Sequence, residues 1–326
     1  MAAALSAMPA SAQPQIFPTE VTWTVEPAFQ VNVRGATCMT TPQGGRTPCL
    51  VVNDGRAFAQ VFVRIGRSIH PGSMIVITSL AAAALGSNPN LEGAANDDRF
   101  FYVVSSRGRA LSSGQSDASF LVARFAVDVG TPPPATPPTA FASPATIGVF
   151  HVSDRIRTAL AAGLPVPGLA GQQLDRTNAE IEGIAVTDRP ARPGPVLHLG
   201  FSAPVLGGKA FIVSAPVDDV FAASGALNPT VTALALGDNI GIRDLAAVSD
   251  GLLILAGPSR DLPGRPSLFH WNDMTGQLKQ LAVMVTPANR NGDALVVLQE
   301  DREFFRFLVM FDEVENGGLQ EYFVAR

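Results

Sequence analysis

The chain has 326 residues, of which 47% are hydrophobic and 16% charged, and its formal net charge is −5 at pH 7. This length and hydrophobic content allow a large buried core, so disorder is excluded for most of the chain, and an all-β barrel or propeller of this size can form one domain. The Lys and Arg residues are scattered along an acidic chain, which argues against nucleic-acid binding. No segment is long and apolar enough to predict a membrane span.

The first residues are small and apolar, and they end in Ala10-Ser-Ala12, the small-x-small pattern that a signal peptidase requires. The basic region that opens a signal peptide is missing, so a flexible Ala-rich tail is the alternative. We favour the first interpretation and assign residues 1–14 to the remnant of a signal peptide. The expected location is therefore periplasmic or secreted, in a bacterium.

Two segments near the ends of the chain predict strands. Glu20–Val25 alternates strictly between polar and apolar residues, and Leu319–Arg326 also predicts a strand. In a closed radial fold, pairing of such strands removes the open sheet edges. We therefore expect the N- and C-terminal strands to close one blade.

Cys38 and Cys49, the only cysteines, flank the Pro/Gly-rich turn at residues 41–45. This places them on the facing strands of one predicted hairpin, where a structural disulfide is expected in an oxidising compartment. A redox or thiolate metal site is a weaker interpretation, because there is no Cys-x-x-Cys spacing and the four histidines show no metal-ligand pattern.

The clearest pattern is a repeated unit, which is typical of stacked or radial repeats. The template is Ile181–Val186 followed by Pro195–Pro204: an acid-Gly pair in a short strand, a turn, and a second strand that ends in small polar residues. Four more units begin at Arg34, Leu91, Ile242 and Gly292. Each unit has room for three or four strands, the size of a propeller blade.

We therefore predict an all-β fold, a β-propeller of five readable units, as a single domain over residues 15–326. A Pro-rich insertion is expected at 130–145, because this stretch cannot be a central strand. A short helix is expected near 153–162, where Gly163 supplies the stop signal. The region from Pro132 to Ala179 leaves room for a degenerate sixth blade.

Several ordered motifs resemble the bacterial family labelled domain of unknown function 3616, from about Asn32 to the C-terminus. The motifs that carry this resemblance are Cys49–Asp54, Leu91-Glu-Gly-Ala94, Phe101–Gly108, Phe120–Phe125, Ile181–Ala185, Gly207–Ala210, Gly241–Leu245 and Leu253–Pro258. The resemblance implies a propeller-like, exported protein and no particular reaction. The chain departs from the pattern at Arg34, at Gly55 and at Asp293-Ala294.

One charged residue precedes the glycine position of each unit, and in a propeller these side chains converge on the central channel. This predicted ring consists of Arg34, Glu92, Glu182, Arg243 and Asp293. One interpretation is a calcium site with Glu92, Glu182 and Asp244 as ligands, since Ca²⁺ prefers carboxylate oxygens. The other is a salt-bridge network in which the two arginines neutralise the acids. We favour the network, because two guanidinium groups compensate most of the negative charge.

A second column of polar residues lies at the end of the second strand of each unit. Its members are Asp54, Ser106, Ser202, Ser259 and Asp312. These residues are expected to surround one mouth of the channel, where loops on a rigid scaffold commonly carry binding sites.

Two functional hypotheses follow. The first is an exported propeller without catalytic activity that binds a small molecule, a glycan or a protein at the central mouth. The second is a calcium-dependent phosphoesterase-like hydrolase, similar to propellers of the phytase type, in which the metal would polarise phosphoryl oxygens. The fold itself does not decide between them, and the sequence identifies no catalytic residue.

Overall fold

The structure is a computed structural model that describes residues 14–19, 24–25, 33–40, 42–43, 46–53, 58–76, 90–106, 119–129, 146–259, 265–287 and 290–326. Several sequence predictions lie outside these residues: the signal-peptide remnant before residue 14, residues 20–23 of the predicted N-terminal strand, Asp54 of the mouth column, and the whole of the Pro-rich insertion at 130–145.

The described residues form short strands and very little helix. In chain order the strands are β1 (Gln15–Ile16), β2 (Thr24–Val25), β3 (Val33–Cys38), β4 (Thr47–Asn53), β5 (Phe58–Ile65), β6 (Ser68–Val76), β7 (Leu91–Asn96), β8 (Phe101–Ser105), β9 (Val122–Asp128), β10 (Thr146–Ser153), β11 (Leu164–Pro165), β12 (Gln173–Leu174), β13 (Glu180–Thr187), β14 (Val196–Ala203), β15 (Lys209–Pro216), β16 (Thr230–Ala235), β17 (Ile240–Val248), β18 (Gly251–Pro258), β19 (Ser267–Trp271), β20 (Leu278–Met284), β21 (Gly292–Glu300), β22 (Phe304–Phe311) and β23 (Gln320–Ala325). The helices are α1 (Arg155–Ala162) and α2 (Val217–Val220), and a 3₁₀ turn spans Glu315–Gly318.

Five antiparallel sheets form the blades of a β-propeller, as predicted from the repeat. Blades 1 to 4 are β3–β6, β7–β10, β13–β16 and β17–β20, each in sequential order from the inner to the outer strand, and blade 5 is β21–β23. The inner strands β3, β7, β13, β17 and β21 contact one another around the central axis. The prediction of α1 near residues 153–162 is also confirmed.

The strands are apolar on both faces because each blade is packed between two others. In β18 all eight residues are buried. Leu252 and Ile254 pack toward blade 3, whereas Leu253 and Leu255 pack toward blade 5. Successive side chains of a strand point to opposite faces. A central blade strand therefore appears in the sequence as a continuous apolar run, without the alternation of a half-exposed strand.

The hydrophobic core is divided into five clusters, one for each blade interface. Between blades 1 and 2, for example, Leu50 packs with Phe101, and between blades 5 and 1, Val33 packs with Met310. The remaining clusters join blades 2 and 3, 3 and 4, and 4 and 5. The cluster between blades 5 and 1 closes the ring.

The prediction that the N- and C-terminal strands close one blade is wrong for the described residues. Strand β1 pairs in parallel with β20 at the outer edge of blade 4, and β2 pairs in parallel with β6 at the outer edge of blade 1. A backbone hydrogen bond of 2.7 Å from Thr19 N to Glu321 O joins this segment to β23. The N-terminal segment thus bridges blades 4 and 1 instead of adding a strand to blade 5, because the edges of both neighbouring blades offer unpaired backbone groups.

The region that left room for a sixth blade belongs to blade 2 and its connection to blade 3. Strand β10 pairs with β9 and completes blade 2 after the Pro-rich insertion. Helix α1 and the β11–β12 hairpin then lead to β13. The described residues therefore hold five blades and no sixth, and the insertion falls between β9 and β10 in the sequence.

The predicted disulfide between Cys38 and Cys49 is confirmed. The two residues are register partners on β3 and β4. Among the described residues, no helix combines the length and hydrophobicity that crossing a membrane would need.

The inner strands approach so closely that a side chain is excluded at Gly35. A Cβ atom at this position would lie 2.6 Å from Gly93 Cα and 2.7 Å from Ala94 N, both backbone atoms of the next blade. Such an overlap can be relieved only by moving one inner strand away from the axis. Close packing of the inner strands therefore requires glycine at position 35.

We predict that Gly35→Ala lowers the free energy of unfolding by at least about 3 kcal/mol, the upper end of the usual cost of overpacking. The matched control is Gly276→Ala, where φ is +75° and no atom lies within 4 Å of the new Cβ. Its cost is expected to be about 1–2 kcal/mol, from the left-handed backbone alone. Urea unfolding of both variants measures the difference, and equal losses would contradict close packing at Gly35.

Candidate functional site

All five predicted ring residues occupy the same structural position, the extra residue of a β-bulge in an inner strand. In each case the residue before and the residue after have consecutive partners on the second strand, so the ring residue itself has none. The five residues are Arg34, Glu92, Glu182, Arg243 and Asp293. A bulge bends its strand and re-aims a side chain, and here five bulges place charged groups around one end of the channel.

Each arginine of the ring joins two carboxylates. Arg34 Nη2 lies 2.9 Å from Asp312 Oδ2, and its Nε lies 3.9 Å from Glu92 Oε2. Arg243 Nη1 lies 2.8 Å from Glu182 Oε2, and its Nη2 contacts Asp293 Oδ1. The sequence-predicted ring residues are therefore brought together, and Asp312 of the mouth column joins them.

Arg243 and Asp293 are the most buried members of the ring, each with 5% of its side chain exposed. Burial lowers the pKa of the Arg243 guanidinium, but Glu182 and Asp293 outweigh this effect and raise it above the ordinary value. Arg243 is therefore a permanent cation between two acids of different blades. Removing one partner of such a buried pair is strongly destabilising, because the remaining charge is left uncompensated.

Glu182 has an unusual acidity. Burial raises the pKa of its carboxyl to about 7, and the nearby Asp293 adds to the shift, whereas Arg243 opposes it. The side chain of Ser202, from the mouth column, also opposes the shift. The pKa of Glu182 thus lies above the ordinary value for a glutamate and close to neutral pH.

Asp244 follows Arg243 and takes the position that glycine holds in the first three blades. Its side chain is fully buried and accepts hydrogen bonds from Leu245 N at 2.8 Å and Leu295 N at 2.7 Å. Burial raises the pKa of Asp244, while these amides and that of Ile184 act in the opposite direction. The carboxyl group joins the inner strands of blades 3, 4 and 5.

The contacts of the predicted carboxylate ligands show what Ca²⁺ would have to displace in order to bind at the ring. Both oxygens of Asp244 accept backbone hydrogen bonds, and Glu92 and Glu182 each face an arginine. Within the described ranges, no three acidic, histidine or cysteine side chains are grouped so as to hold a metal ion. Binding of Ca²⁺ would therefore require an arginine to move away from a carboxylate.

The described members of the mouth column lie beside the ring, where the second strands end. Ser106 Oγ accepts a hydrogen bond of 3.0 Å from Ile181 N of the next blade. Ser202 is fully buried, and Ser259 N donates to Asn239 O at 2.7 Å. These contacts hold the connections between blades in place at the ring end of the channel.

The open part of the channel lies on the other side of the ring. A cavity of about 460 Å³ is walled by residues of all five inner strands. Its lining begins two residues after the ring position in blades 2 to 5, at Ala94, Ile184, Leu245 and Leu295, and continues to the ends of the strands. The cavity thus opens on the face opposite the predicted mouth.

The rim of this cavity is polar, and sequence reasoning did not single it out. The polar and charged residues that line it are Thr37, Thr40, Asn96, Asp97, Asp98, Thr187, Asp188, Arg189, Ser249, Gln299 and Glu300. The signal was present in the sequence, because the inner strands of blades 2 to 5 are each followed by acidic residues. The repeated unit predicts charged residues at the starts of these strands and does not point to their ends.

A buried polar cluster beside the rim fixes blade 3 to blade 4. Asp273, whose side chain is inaccessible, binds Arg192 Nη1 at 2.8 Å and Arg189 Nε at 3.5 Å. Thr187 Oγ1 lies 2.9 Å from His198 Nε2, and Ser214 Oγ lies 2.8 Å from His198 Nδ1. Burial lowers the pKa of His198 to about 4, so the imidazole is a neutral structural group at physiological pH.

We predict that Asp244→Ala lowers the free energy of unfolding by about 3 kcal/mol, because two buried amide donors lose their acceptor. Asp218→Ala is the control, since Asp218 is exposed and surface substitutions cost within about 0.5 kcal/mol. Urea unfolding provides the measurement. A loss no larger than that of the control would show that Asp244 does not join the inner strands.

Several solved structures are similar to this one at low sequence identity. The glutaminyl cyclase of Myxococcus xanthus has 10% identity and a TM-score of 0.47, with 96% of this chain and 97% of that chain covered. An exo-β-1,3-galactanase from Phanerochaete chrysosporium has 9% identity and a TM-score of 0.51, with 94% and 64% covered. An exo-1,5-α-L-arabinanase from a bovine ruminal metagenomic library has 11% identity and a TM-score of 0.46, with 91% and 94% covered.

The likeness to the galactanase, whose TM-score is above 0.5, shows the fold alone, and this chain spans about 64% of the length of that protein. No curated protein matches the sequence. A family model does match: residues 176–316, which include β13 to β22, fit the model described as a protein of unknown function, DUF3616. The family resemblance seen in the motifs is therefore confirmed over the third, fourth and fifth blades, and the chain is similar there to the DUF3616 proteins.

Proposed function

We propose that this propeller binds a small neutral or cationic polar molecule in its central cavity. The observation that carries the proposal is the size and position of that cavity: about 460 Å³, open on one face and walled by all five blades. Small-molecule sites are concave and typically about 300–1,000 Å³ in volume. The ring at the other end is occupied by its own ion pairs, which leaves the cavity as the better candidate.

The chemistry of the lining favours this ligand class. The deeper wall carries small apolar side chains such as Ala94, and the rim carries four carboxylates and one guanidinium. That guanidinium, Arg189, already donates to the carbonyl oxygens of Ser249 and Gly251. Carboxylates accept hydrogen bonds from hydroxyl and ammonium groups, and a cleft lined by negative charge repels anions.

We predict that Ala247→Trp weakens ligand binding at least tenfold, because Ala247 is exposed in the lining and an indole there fills part of the cavity. Isothermal titration with a neutral disaccharide, an amino sugar and a uronic acid of similar size tests both claims. The unsubstituted protein is expected to bind one of the first two more tightly than the uronic acid. The control is Ala223→Trp, at an exposed position outside the channel.

Two outcomes would contradict this proposal. One is that none of the three probes binds, and the other is that both tryptophan variants bind as tightly as the unsubstituted protein. Preference for the uronic acid would overturn the assignment of ligand charge.

We also propose export to an oxidising compartment. The support is the disulfide between Cys38 and Cys49, since such bonds persist outside the reducing cytosol.

The first hypothesis allowed a small molecule, a glycan or a protein as the binding partner. The cavity volume favours a small polar molecule among these.

The calcium-dependent, phosphoesterase-like hydrolase is the second candidate, and one observation favours it. Glu182, with a pKa of about 7, is joined through Arg243 to Asp293. A carboxyl group with a pKa near 7 is suited to general acid–base catalysis at neutral pH. This candidate requires Ca²⁺ to compete with Arg34 and Arg243 for the carboxylates of the ring.

We predict that the stability of the protein depends on Glu182 in a specific pH window. Because the folded-state pKa of about 7 is above the ordinary value of 4.5, the contribution of Glu182 is fully present below pH 4.5 and is lost as the pH rises through 7. Glu182→Gln stays neutral throughout. Thermal melts should therefore show the unsubstituted protein losing stability relative to the variant between pH 4.5 and 8, and a constant difference would contradict the raised pKa.

Thermal melts of the same two proteins at pH 8, with Ca²⁺ and with a chelator, distinguish the hydrolase hypothesis from the binding-protein hypothesis. A calcium-dependent rise in melting temperature that Glu182→Gln abolishes would support a metal site and justify a phosphoesterase screen. An unchanged melting temperature would leave the arginines as the counter-ions of the ring and remove this candidate.

A further inference from the structure

Arg64, at the end of β5, is half-buried and is not paired with an acid. Its Nη2 lies 3.4 Å from Thr47 Oγ1, a weak hydrogen bond to a neutral group. Its Nε is buried and has no hydrogen-bond partner. Among the residues that the structure describes, no carboxylate lies within ion-pair distance of Arg64. A buried donor without an acceptor costs free energy, and a buried cation without an anion costs more.

The strand register places Arg64 on the face of blade 1 that packs against blade 5. Arg64 is paired with Thr47 on one side and with Ile69 on the other. Ile69 packs in the cluster that joins blades 1 and 5, together with Leu308 of β22. Arg306 lies two residues before Leu308, so it projects from the same face of β22. Two guanidinium groups therefore face the same interface, Arg64 from blade 1 and Arg306 from the neighbouring blade 5.

The acid nearest to this interface is already shared. Glu321, whose side chain is 1% exposed, binds Arg306 and Arg67. The pKa of Arg64 is lowered, first by burial and then by the positive charge of Arg306, with no opposing contribution from an acid. The surroundings of Arg64 are thus electropositive, in a chain whose formal net charge is −5.

We propose that Arg64 and Arg306 form a binding site for a small oxyanion, a phosphate, sulfate or carboxylate group, at the interface of blades 1 and 5. A tetrahedral oxyanion can accept from the free Nε and from Nη of Arg64 at once, which is the fork geometry in which arginine binds these groups. The hydroxyl of Thr47 can turn toward the same anion, because it both donates and accepts. This site is separate from the cavity of the proposed function.

The test compares melting temperatures in inorganic phosphate, sulfate, acetate and chloride at constant ionic strength. Three proteins are used: the unsubstituted chain, Arg64→Gln, and Lys279→Gln as a control. Lys279 is an exposed residue of blade 4, so its substitution removes the same charge far from the site. Equal ionic strength removes general screening, and the control removes the non-specific stabilisation that phosphate and sulfate give to any folded protein.

We expect the order of the melting temperatures of Arg64→Gln and the unsubstituted protein to differ between chloride and phosphate or sulfate. In phosphate or sulfate the melting temperature of the unsubstituted protein and of Lys279→Gln rises saturably, by about 3 °C or more beyond that of Arg64→Gln. In chloride, Arg64→Gln melts at or above the unsubstituted protein, because an unpaired cation has been removed. A merely structural role for Arg64 predicts the opposite order in chloride. A larger effect of acetate than of phosphate would identify a carboxylate as the preferred group.

Two results would overturn the proposal: an equal rise in all three proteins, or a rise that increases linearly without saturation. If Arg64→Gln does not fold, isothermal titration of the unsubstituted protein with phosphate decides, since one saturable site is expected and the absence of any site contradicts it. Arg64→Lys then serves as the variant, because it keeps the charge but loses the fork, and weaker binding is expected.

Discussion

The close approach of the five inner strands around the axis is the constraint on which the rest of this structure depends. At Gly35 and Gly93 the backbones of adjacent blades lie so near that a Cβ atom would overlap with them. At these positions no side chain fits between the strands, and the residue before each glycine is the extra residue of a bulge. Blades 4 and 5 keep the bulge although Asp244 and Ala294 replace the glycine, so all five bulges turn a charged side chain toward the ring.

Electrostatics then determines which end of the channel is open. The ring gathers carboxylates from three blades in a buried setting, and two arginines compensate them. Arg243 joins blade 4 to blades 3 and 5, and Asp244 joins the same three inner strands through backbone amides. This end of the channel resembles the interior of a protein in its burial and pairing. The other end has the apolar wall and polar rim of a ligand site.

Much of the fold could be predicted from the sequence, because the repeat carries it. The inner two strands of every blade are recognisable as two short strands joined by a polar turn, and the spacing of Cys38 and Cys49 correctly predicts their pairing. The ring residues were aligned from the same repeat. Each of these predictions depends either on contacts between residues that are close in the sequence or on the repetition of one unit. A sequence pattern shows both.

The errors concern contacts that the repeat does not encode. The alternation of Glu20–Val25 indicates a strand but not which edge it joins, and blades 4 and 1 both offer one. Strand β10 was separated from its blade by the Pro-rich insertion, so its partner β9 could not be recognised from spacing. The cavity was missed for another reason: its rim is formed by the ends of inner strands, whose acidic residues look like ordinary turn residues until the strands are arranged in a ring.

The contact between blades 5 and 1 has a consequence for the order of folding. Arg67 and Glu321, which meet there, are 254 residues apart in the chain, and contacts of such sequence separation form late. During synthesis, blades 1 to 4 can stack as they emerge, but the apolar face of blade 1 that carries Val33, Phe62 and Ile69 has no partner until the last blade is complete. The nascent chain therefore displays this face throughout its synthesis, and an exposed apolar face of a partly folded chain is prone to aggregation.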